Sequence, residues 1–183
     1  MPFSFTDGPI PGLKIITPRR FTDERGFFLE TYKTGDFSAH GIPGLFVQDN
    51  HSRSKRGVLR GLHFQRPPHA QGKLVRVVRG RVWDVAVDLR PDSVTFGKWS
   101  GLELSDDNKV MFYVPPGFAH GFVALEDGTD FLYKCTDVYA PECESGIRYD
   151  DPDLGIEWPM ENCIVNEKDL DLPSFKEFQD GST

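Results

Sequence analysis

Short runs of alternating apolar and polar residues, each closed by a turn signal, recur along almost the whole chain. Alternate residues of Val82–Leu89 fall on two faces, one apolar throughout and the other carrying Asp84 and Asp88. No apolar pattern with helical spacing persists through three turns. The chain is therefore predicted to be all-β, with short strands packed as a sandwich or barrel.

The predicted strands are separated by Pro-Gly, Pro-Pro, Arg-Gly and Asp-Gly turns. They are Leu13–Thr17, Phe27–Tyr32, Leu45–Asn50, Val58–Phe64, Lys73–Val78, Val82–Leu89, Lys98–Leu104, Met111–Val114, Phe118–Val123 and Asp130–Val138. Short helices are predicted near Thr34–His40, at Glu167–Leu170 and in the last ten residues. A chain of 183 residues without repeats or linkers is predicted to form one domain, 1–183.

Charge is unevenly distributed along a chain whose net charge is −7. The segment 51–83 contains nine Lys or Arg residues and no Asp or Glu, whereas 140–183 contains twelve acids and three bases. The acidic net charge argues against a nucleic-acid-binding surface. The basic segment is equally well explained by an anionic ligand or by pairing with the acidic C-terminal part.

The cellular compartment is predicted from what the sequence lacks. No apolar run approaches the ~18 residues of a membrane span, and the N-terminal residues do not resemble a secretory signal. The three cysteines include no CxxC pair, which is typical of a reduced protein. We therefore expect a cytoplasmic protein that does not bind membranes.

Nucleotide-binding, hydrolase and zinc-protease motifs are absent from the sequence. The candidate catalytic residues are therefore titratable side chains on separate predicted strands, namely two histidines and a tyrosine. His63 lies among apolar residues near Arg60, where a general base or an ordinary strand histidine would fit. His120 follows a rigid Pro-Pro-Gly turn, which favours a place at a concave surface. Tyr133 carries a hydroxyl that can donate a proton if it reaches a pocket.

No metal site is predicted. Metal-binding cupins offer an HxH pair and a glutamate, whereas here Gln65 follows His63 and the next acid is Asp84. Asp84 and Asp88 share a strand face and are interpreted as structural acids, either solvated or paired with arginine.

A series of motifs runs through the chain in a characteristic order: Asp23–Phe28, Gln48–Ser52, Gly57–Gln65, Gln71–Val75, Pro116–Phe122, Phe131–Lys134, Asp150–Pro152 and Glu167–Asp169. Together they resemble the dTDP-4-dehydrorhamnose 3,5-epimerase family, from about Pro18 to Pro173. The resemblance implies a cupin-like jelly-roll barrel with a few short peripheral helices and a site in the barrel mouth.

The resemblance also implies an isomerase that inverts C3 and C5 of a dTDP-4-keto-6-deoxyhexose in dTDP-L-rhamnose biosynthesis, without metal or cofactor. His63 is implied as the base and Asp169 as its hydrogen-bonding partner. Tyr133 is implied as the opposite-face proton donor and Lys73 as the cation near the enolate oxygen. The implied substrate-binding residues are Arg25, Phe27, Glu30, Gln48, Asn50, Arg60, His120, Tyr139, Glu144 and Lys168.

The spacing of Arg60 and His63 conflicts with a shared site, since residues three apart point to opposite faces of a regular strand. A bulge at Gly61 would remove the conflict. The family resemblance further implies a homodimer with exchanged N-terminal strands, which would bring Arg25, Phe27 and Glu30 to the partner's pocket.

Three other functions remain open at this point. The first is an isomerase sibling that epimerises only C3 or only C5, or a 3,4-ketoisomerase. The second is a sugar-nucleotide-binding cupin without activity. The third is a metal-dependent cupin oxygenase, which the incomplete ligand set disfavours.

Overall fold

The computed structural model describes residues 2–181, in which strands form two extended antiparallel sheets and the helices are short. The predicted domain, 1–183, also includes residues 1, 182 and 183, which lie outside the described residues. Within the described part of the chain, no helix has the length and apolar character needed to cross a membrane.

The larger sheet has six strands. In spatial order they are β1 (Phe3–Asp7), β2 (Lys14–Pro18), β10 (Met111–Val114), β7 (Lys73–Arg79), β12 (Thr129–Cys135) and β5 (Gln48–Ser54). The second sheet has five strands, in the order β13 (Glu144–Gly146), β6 (Leu59–Gln65), β11 (Phe118–Ala124), β8 (Arg81–Asp88) and β9 (Trp99–Ser105). A separate hairpin consists of β3 (Phe21–Asp23) and β4 (Gly26–Phe28).

The two sheets pack face to face in a jelly roll, because successive strands from β5 to β8 and from β10 to β13 alternate between them. The core between them draws on both sheets, with Val75, Phe112 and Phe131 from one and Val82 and Leu104 from the other. The predicted all-β jelly roll with short helices is therefore observed. Within residues 2–181 no strand pairs across from one sheet to the other, so the sheets are not closed into the predicted barrel.

The outer face of each sheet is covered by chain from outside it. On the six-stranded sheet, Ile16 and Met111 pack with Phe37 of α1 (Thr34–Ser38). On the five-stranded sheet, Val85 packs with Phe175 of α3 (Phe175–Gln179). Because both faces of each sheet are covered, strands such as β10 and β11 are buried on both faces.

Two predicted elements agree with the structure at both ends. Met111–Val114 has the predicted bounds, and so has α2 (Glu167–Leu170). The strand predicted at Leu45–Asn50 lies further on, at Gln48–Ser54. Of the predicted Phe27–Tyr32, only Phe27 and Phe28 are paired, as part of β4.

Candidate active site

A cavity of about 240 Å³ lies between the two sheets, beside Phe122 and Phe131 of the apolar core. Its polar lining comes from both sheets and the α2 segment: Ser52, Arg60, His63, Lys73, His120, Tyr133, Asn166 and Asp169. A smaller cavity of about 110 Å³ shares His63, Lys73 and Tyr133 with it. The predicted base, its carboxylate partner, the proton donor and the cation are thus brought together.

A bulge in β6 turns both Arg60 and His63 towards this cavity. Arg60 pairs with Phe122 of β11 and His63 pairs with His120, so three residues of β6 lie opposite two residues of β11. Gly61 permits this, because its φ of 131° suits glycine and a Cβ there would lie 2.6 Å from the Gly121 Cα. The register thus shifts at Gly61, where the sequence allowed a bulge, and the conflict in spacing disappears.

The imidazole of His63 is hydrogen-bonded to a buried carboxylate. Its Nε2 lies 2.8 Å from Asp169 Oδ1, and Asp169 Oδ2 accepts the N–H of Gly61 at 3.1 Å. Burial raises the pKa of Asp169, but the hydrogen bond and charge of His63 and the Gly61 amide outweigh it, so the pKa is lowered. An ionised Asp169 holds the proton on Nε2 and leaves Nδ1 of His63 free to accept one.

Asp169 is distant from His63 in sequence and reaches it through the segment before α2. Ile164 forms a parallel bridge with Val58, and its carbonyl accepts the N–H of Leu59 at 3.0 Å. The side chain of Asn166 then caps α2 by accepting the Asp169 N–H at 2.7 Å. Together these contacts set the first turn of α2 against β6.

Tyr133 and Lys73 enter the cavity from the opposite sheet. Cys135 of β12 pairs with Lys73 of β7, and Tyr133 pairs with Val75, so both functional side chains belong to the inner face. Lys73 Nζ donates to the His63 carbonyl oxygen at 3.3 Å. Burial lowers the pKa of Lys73 and raises the pKa of Tyr133. Tyr133 therefore keeps its proton at neutral pH and can act as an acid.

His120 is held by a second buried carboxylate, that of Asp84. The Nε2 atom of His120 lies 2.9 and 3.1 Å from the two Asp84 carboxylate oxygens. The interpretation of Asp84 as a solvated or arginine-paired acid is therefore wrong, because its partner is a side chain that lines the cavity. The same interpretation is correct for Asp88, which accepts hydrogen bonds from Arg90.

Five predicted binding residues form one hydrogen-bonded group, and all of them but Lys168 line the smaller cavity. Glu144 accepts the Tyr139 hydroxyl at 2.8 Å and the Lys168 ammonium at 2.6 Å. Gln48 accepts the backbone N–H of Tyr139 at 2.7 Å and donates to Asn50 at 3.1 Å. Amide, carboxylate, phenol and ammonium groups are thus exposed together, next to the catalytic candidates.

Four predicted binding residues line neither cavity within this chain. Lys168 is one of them and reaches the smaller cavity only through its ion pair with Glu144. Arg25 lies in the β3–β4 hairpin, where its Nε donates to Asp23 at 3.1 Å. Phe27 is 55% exposed, with the Lys109 ammonium 4.6 Å from its ring centroid. Glu30 follows β4 and lines neither cavity.

The cavity combines a base and an acid on opposing walls. His63 belongs to the five-stranded sheet, whereas Tyr133 and Lys73 belong to the six-stranded sheet. A carbon centre between the walls can lose a proton to one side, and the planar carbanion that forms can gain one from the other. Among the described residues, no three His, Cys, Asp or Glu side chains are grouped as metal ligands would be.

Comparison with known proteins identifies the relatives of this chain. The family model described as dTDP-4-dehydrorhamnose 3,5-epimerase matches residues 7–177. The chain belongs to this family. A curated dTDP-4-dehydrorhamnose 3,5-epimerase from Methanothermobacter thermautotrophicus is 53% identical over 178 residues, which cover 96% of either chain. The family resemblance seen in the sequence motifs is confirmed.

Solved structures of dTDP-4-dehydrorhamnose 3,5-epimerases have the same fold. The Elizabethkingia anophelis enzyme matches with a TM-score of 0.93 and 49% identity, over 97% of this chain and 98% of that chain. The dTDP-6-deoxy-D-glucose-3,5-epimerase of Legionella pneumophila, solved with dTDP-4-keto-L-rhamnose, matches with a TM-score of 0.91 and 49% identity, over 95% and 93% of the chains. These matches confirm the cupin-like jelly roll.

Proposed function

We propose that this chain is a dTDP-4-dehydrorhamnose 3,5-epimerase, an isomerase that inverts C3 and C5 of a dTDP-4-keto-6-deoxyhexose in dTDP-L-rhamnose biosynthesis. The proposal is carried by one observation, that His63 and Tyr133 project into one cavity from opposed sheets. Opposed sheets lie ~10 Å apart, a gap that a sugar ring can occupy.

The reaction uses the acidity that the C4 ketone gives to the neighbouring C–H bonds. Nδ1 of His63 removes the proton from C3 or C5, and Asp169 stabilises the imidazolium that forms. The electron pair moves onto the C4 oxygen as an enolate, where the Lys73 ammonium stabilises the negative charge. Tyr133 then protonates the carbanion from the opposite face and inverts the carbon.

The remaining polar groups supply substrate binding in this proposal. Arg60 and His120 line the larger cavity and can bind the diphosphate and sugar. Gln48, Asn50 and Glu144 line the smaller cavity, beside Tyr139, whose ring can stack on thymine. Because the ketone itself is the electron sink, no metal or other cofactor is required.

Proton NMR in heavy water tests the proposed function. The wild-type protein is incubated with dTDP-4-keto-6-deoxy-D-glucose, and the C3 and C5 signals are followed with His63→Ala as the control. We expect both signals to disappear as deuterium enters, while a product with both centres inverted accumulates. The control should leave both signals in place.

The same spectra separate the alternatives. Exchange and inversion at one carbon alone would identify a 3- or 5-epimerase. A spectrum unchanged by the wild-type protein, despite measured dTDP binding, would identify a non-catalytic sugar-nucleotide-binding cupin. Each of these results contradicts double epimerisation.

We infer further that the active form is a homodimer with exchanged N-terminal strands. Phe21, Phe27 and Phe28 of the β3–β4 hairpin are 46, 55 and 66% exposed, an apolar surface that a partner subunit would cover. The strand β5, which carries Gln48 and Asn50, is an edge strand with one open side. A partner's hairpin beside that edge would supply Arg25, Phe27 and Glu30 to the site.

We also propose that 1–183 acts as a single domain in the cytoplasm. Its cysteines are free, and two of them, Cys135 and Cys143, are buried, which suits a reducing compartment.

A further inference from the structure

The carboxylate of Asp84 lies in an unusual position for an acid. It is on the inner face of β8, between Val82 and Ala86 of the apolar core, and is fully buried. Both of its oxygens lie within 3.1 Å of one atom, His120 Nε2. Burying a carboxylate is unfavourable unless it is paired and hydrogen-bonded, so this pairing with His120 needs an explanation.

Asp88, on the same face of the same strand, provides a direct comparison because it is equally buried. Its carboxylate accepts hydrogen bonds from Arg90 at 2.7 and 2.8 Å, Ser93 at 2.6 Å and Thr95 at 2.7 Å. These partners belong to the turn after β8, so the role of Asp88 is to hold that turn. Asp84 holds instead a ring that lines the larger cavity.

We propose that Asp84 is a positioning residue of the epimerisation, which fixes His120 so that its Nδ1 atom is presented to the sugar. This inference rests on the proposed function, because it assigns a task within the same cavity. Asp84 itself does not line that cavity and acts through His120.

The surroundings of His120 favour one ring orientation. Asp84 occupies the Nε2 side, and the ring of Phe131 lies nearly parallel to the imidazole, with centroids 6.2 Å apart. A carboxylate against one ring nitrogen fixes the proton there and leaves the other nitrogen for a ligand. Burial raises the pKa of Asp84, and the charges of His120 and Lys73 oppose that rise.

The position of His120 indicates the sugar rather than the nucleotide as its ligand. His120 pairs directly across the strands with His63, the proposed base. It lines the larger cavity with Tyr133 and Lys73, whereas Tyr139 and Glu144 lie at the smaller one. Loss of Asp84 should therefore affect the chemical step more than the affinity for dTDP.

The test compares Asp84→Asn with Asp88→Asn, the matched control on the same strand face. For each variant, kcat and KM for dTDP-4-keto-6-deoxy-D-glucose are measured, together with the Kd of dTDP by calorimetry. The pair Asp84→Asn and His120→Ala is also combined in one chain. Wild-type turnover, measured first, tests the proposed function separately from this inference.

We expect Asp84→Asn to lower kcat by about 10- to 100-fold, while the dTDP Kd stays within about 2-fold of wild type. Asp88→Asn should keep kcat within about 2-fold. In the His120→Ala background, Asp84→Asn should lower kcat by less than about 2-fold further, because residues acting as one unit are not additive.

The inference would be overturned if Asp84→Asn kept the wild-type kcat. It would also be overturned if Asp84→Asn lowered kcat as much in the His120→Ala background as in the wild type. Either result leaves the proposed function intact. If Asp84→Asn does not fold, a measurement on the wild-type protein still tests the inference. In ¹⁵N NMR of the imidazoles, with His120→Ala for assignment, we expect the Nε2 of His120 to carry a proton. An unprotonated Nε2 would contradict the proposed geometry.

Discussion

Replacing Asp169 by asparagine tests how far the reaction depends on the carboxylate behind the base. Asp169 is 1% exposed and accepts two hydrogen bonds, from His63 Nε2 and from the Gly61 N–H. Asparagine has almost the same shape but only one acceptor oxygen. One of the two donors must therefore face an NH₂ group, or the His63 ring must carry its proton on Nδ1 instead.

The size of the effect follows from these two outcomes. A buried donor left without a partner costs about 1–3 kcal/mol. For a chain of this length, that lowers the melting temperature by about 2 to 12 °C. A proton moved to Nδ1 of His63 removes the lone pair that accepts the substrate proton. Replacing an orienting carboxylate in this way lowers kcat by as much as ~10⁴-fold.

The assay measures deuterium exchange into the substrate and thermal unfolding of the same samples. Asp171→Asn, at the exposed end of α2, is the matched control and should match wild type in both. Exchange by Asp169→Asn within about 10-fold of wild type would refute the proposed pairing with His63.

The pH dependence of stability provides an independent check on Asp169. Its pKa is lowered in the folded protein, so its contribution to stability is present above the ordinary aspartate pKa of ~3.9. That contribution is lost as the pH falls through the folded-state value. The stability difference between wild type and Asp169→Asn should therefore shrink below about pH 4.

Two further predictions concern the cation and the dimer. Lys73→Met should lower kcat by about 10²- to 10³-fold, as loss of one oxyanion-stabilising group does. The melting temperature should not fall, because a buried cation is replaced by an apolar chain. Kinetics and calorimetry check both results, and an unaltered kcat would exclude Lys73 from enolate stabilisation. Mixing Arg25→Ala with His63→Ala subunits should restore roughly a quarter of wild-type activity, since half of the dimers are mixed and each contains one complete site; inactivity after verified subunit exchange would contradict a shared site.

Most strands with a face on an apolar core could be predicted, although β1 was missed while its Phe3 packs in such a core. Met111–Val114 is a continuous apolar run and Val82–Leu89 alternates clearly. Their predicted bounds agree within one residue with β10 and β8. The strand β5 was harder to predict because its inner face carries Gln48 and Asn50, which line a polar cavity. The apolar residues that begin at Leu45 precede β5, and because of them the strand was predicted too close to the N-terminus.

The candidate site was predictable mainly through the family motifs. His63, Lys73, Tyr133 and Asp169 come from three strands and one short helix, and no periodicity in the sequence brings such distant positions together. Asp84 was misinterpreted because an acid on a strand face is usually solvated. Its place between Val82 and Ala86, two apolar residues of the same strand face, was the available signal.

Replacing Tyr133 by phenylalanine tests most directly whether His63 removes the substrate proton and Tyr133 returns one from the opposite face. Tyr133→Phe removes the donor hydroxyl and keeps the ring. Tyr113→Phe, on the outer face of the same sheet, is its matched control. Proton exchange with heavy water and formation of inverted product are measured on one sample by NMR.

We expect Tyr133→Phe to exchange substrate protons still, while inversion falls by ~10²- to 10⁴-fold. A carbanion without an opposite-face donor is reprotonated on the side from which its proton left. Tyr113→Phe should exchange and invert like wild type. Inversion by Tyr133→Phe at a near wild-type rate would contradict the claim.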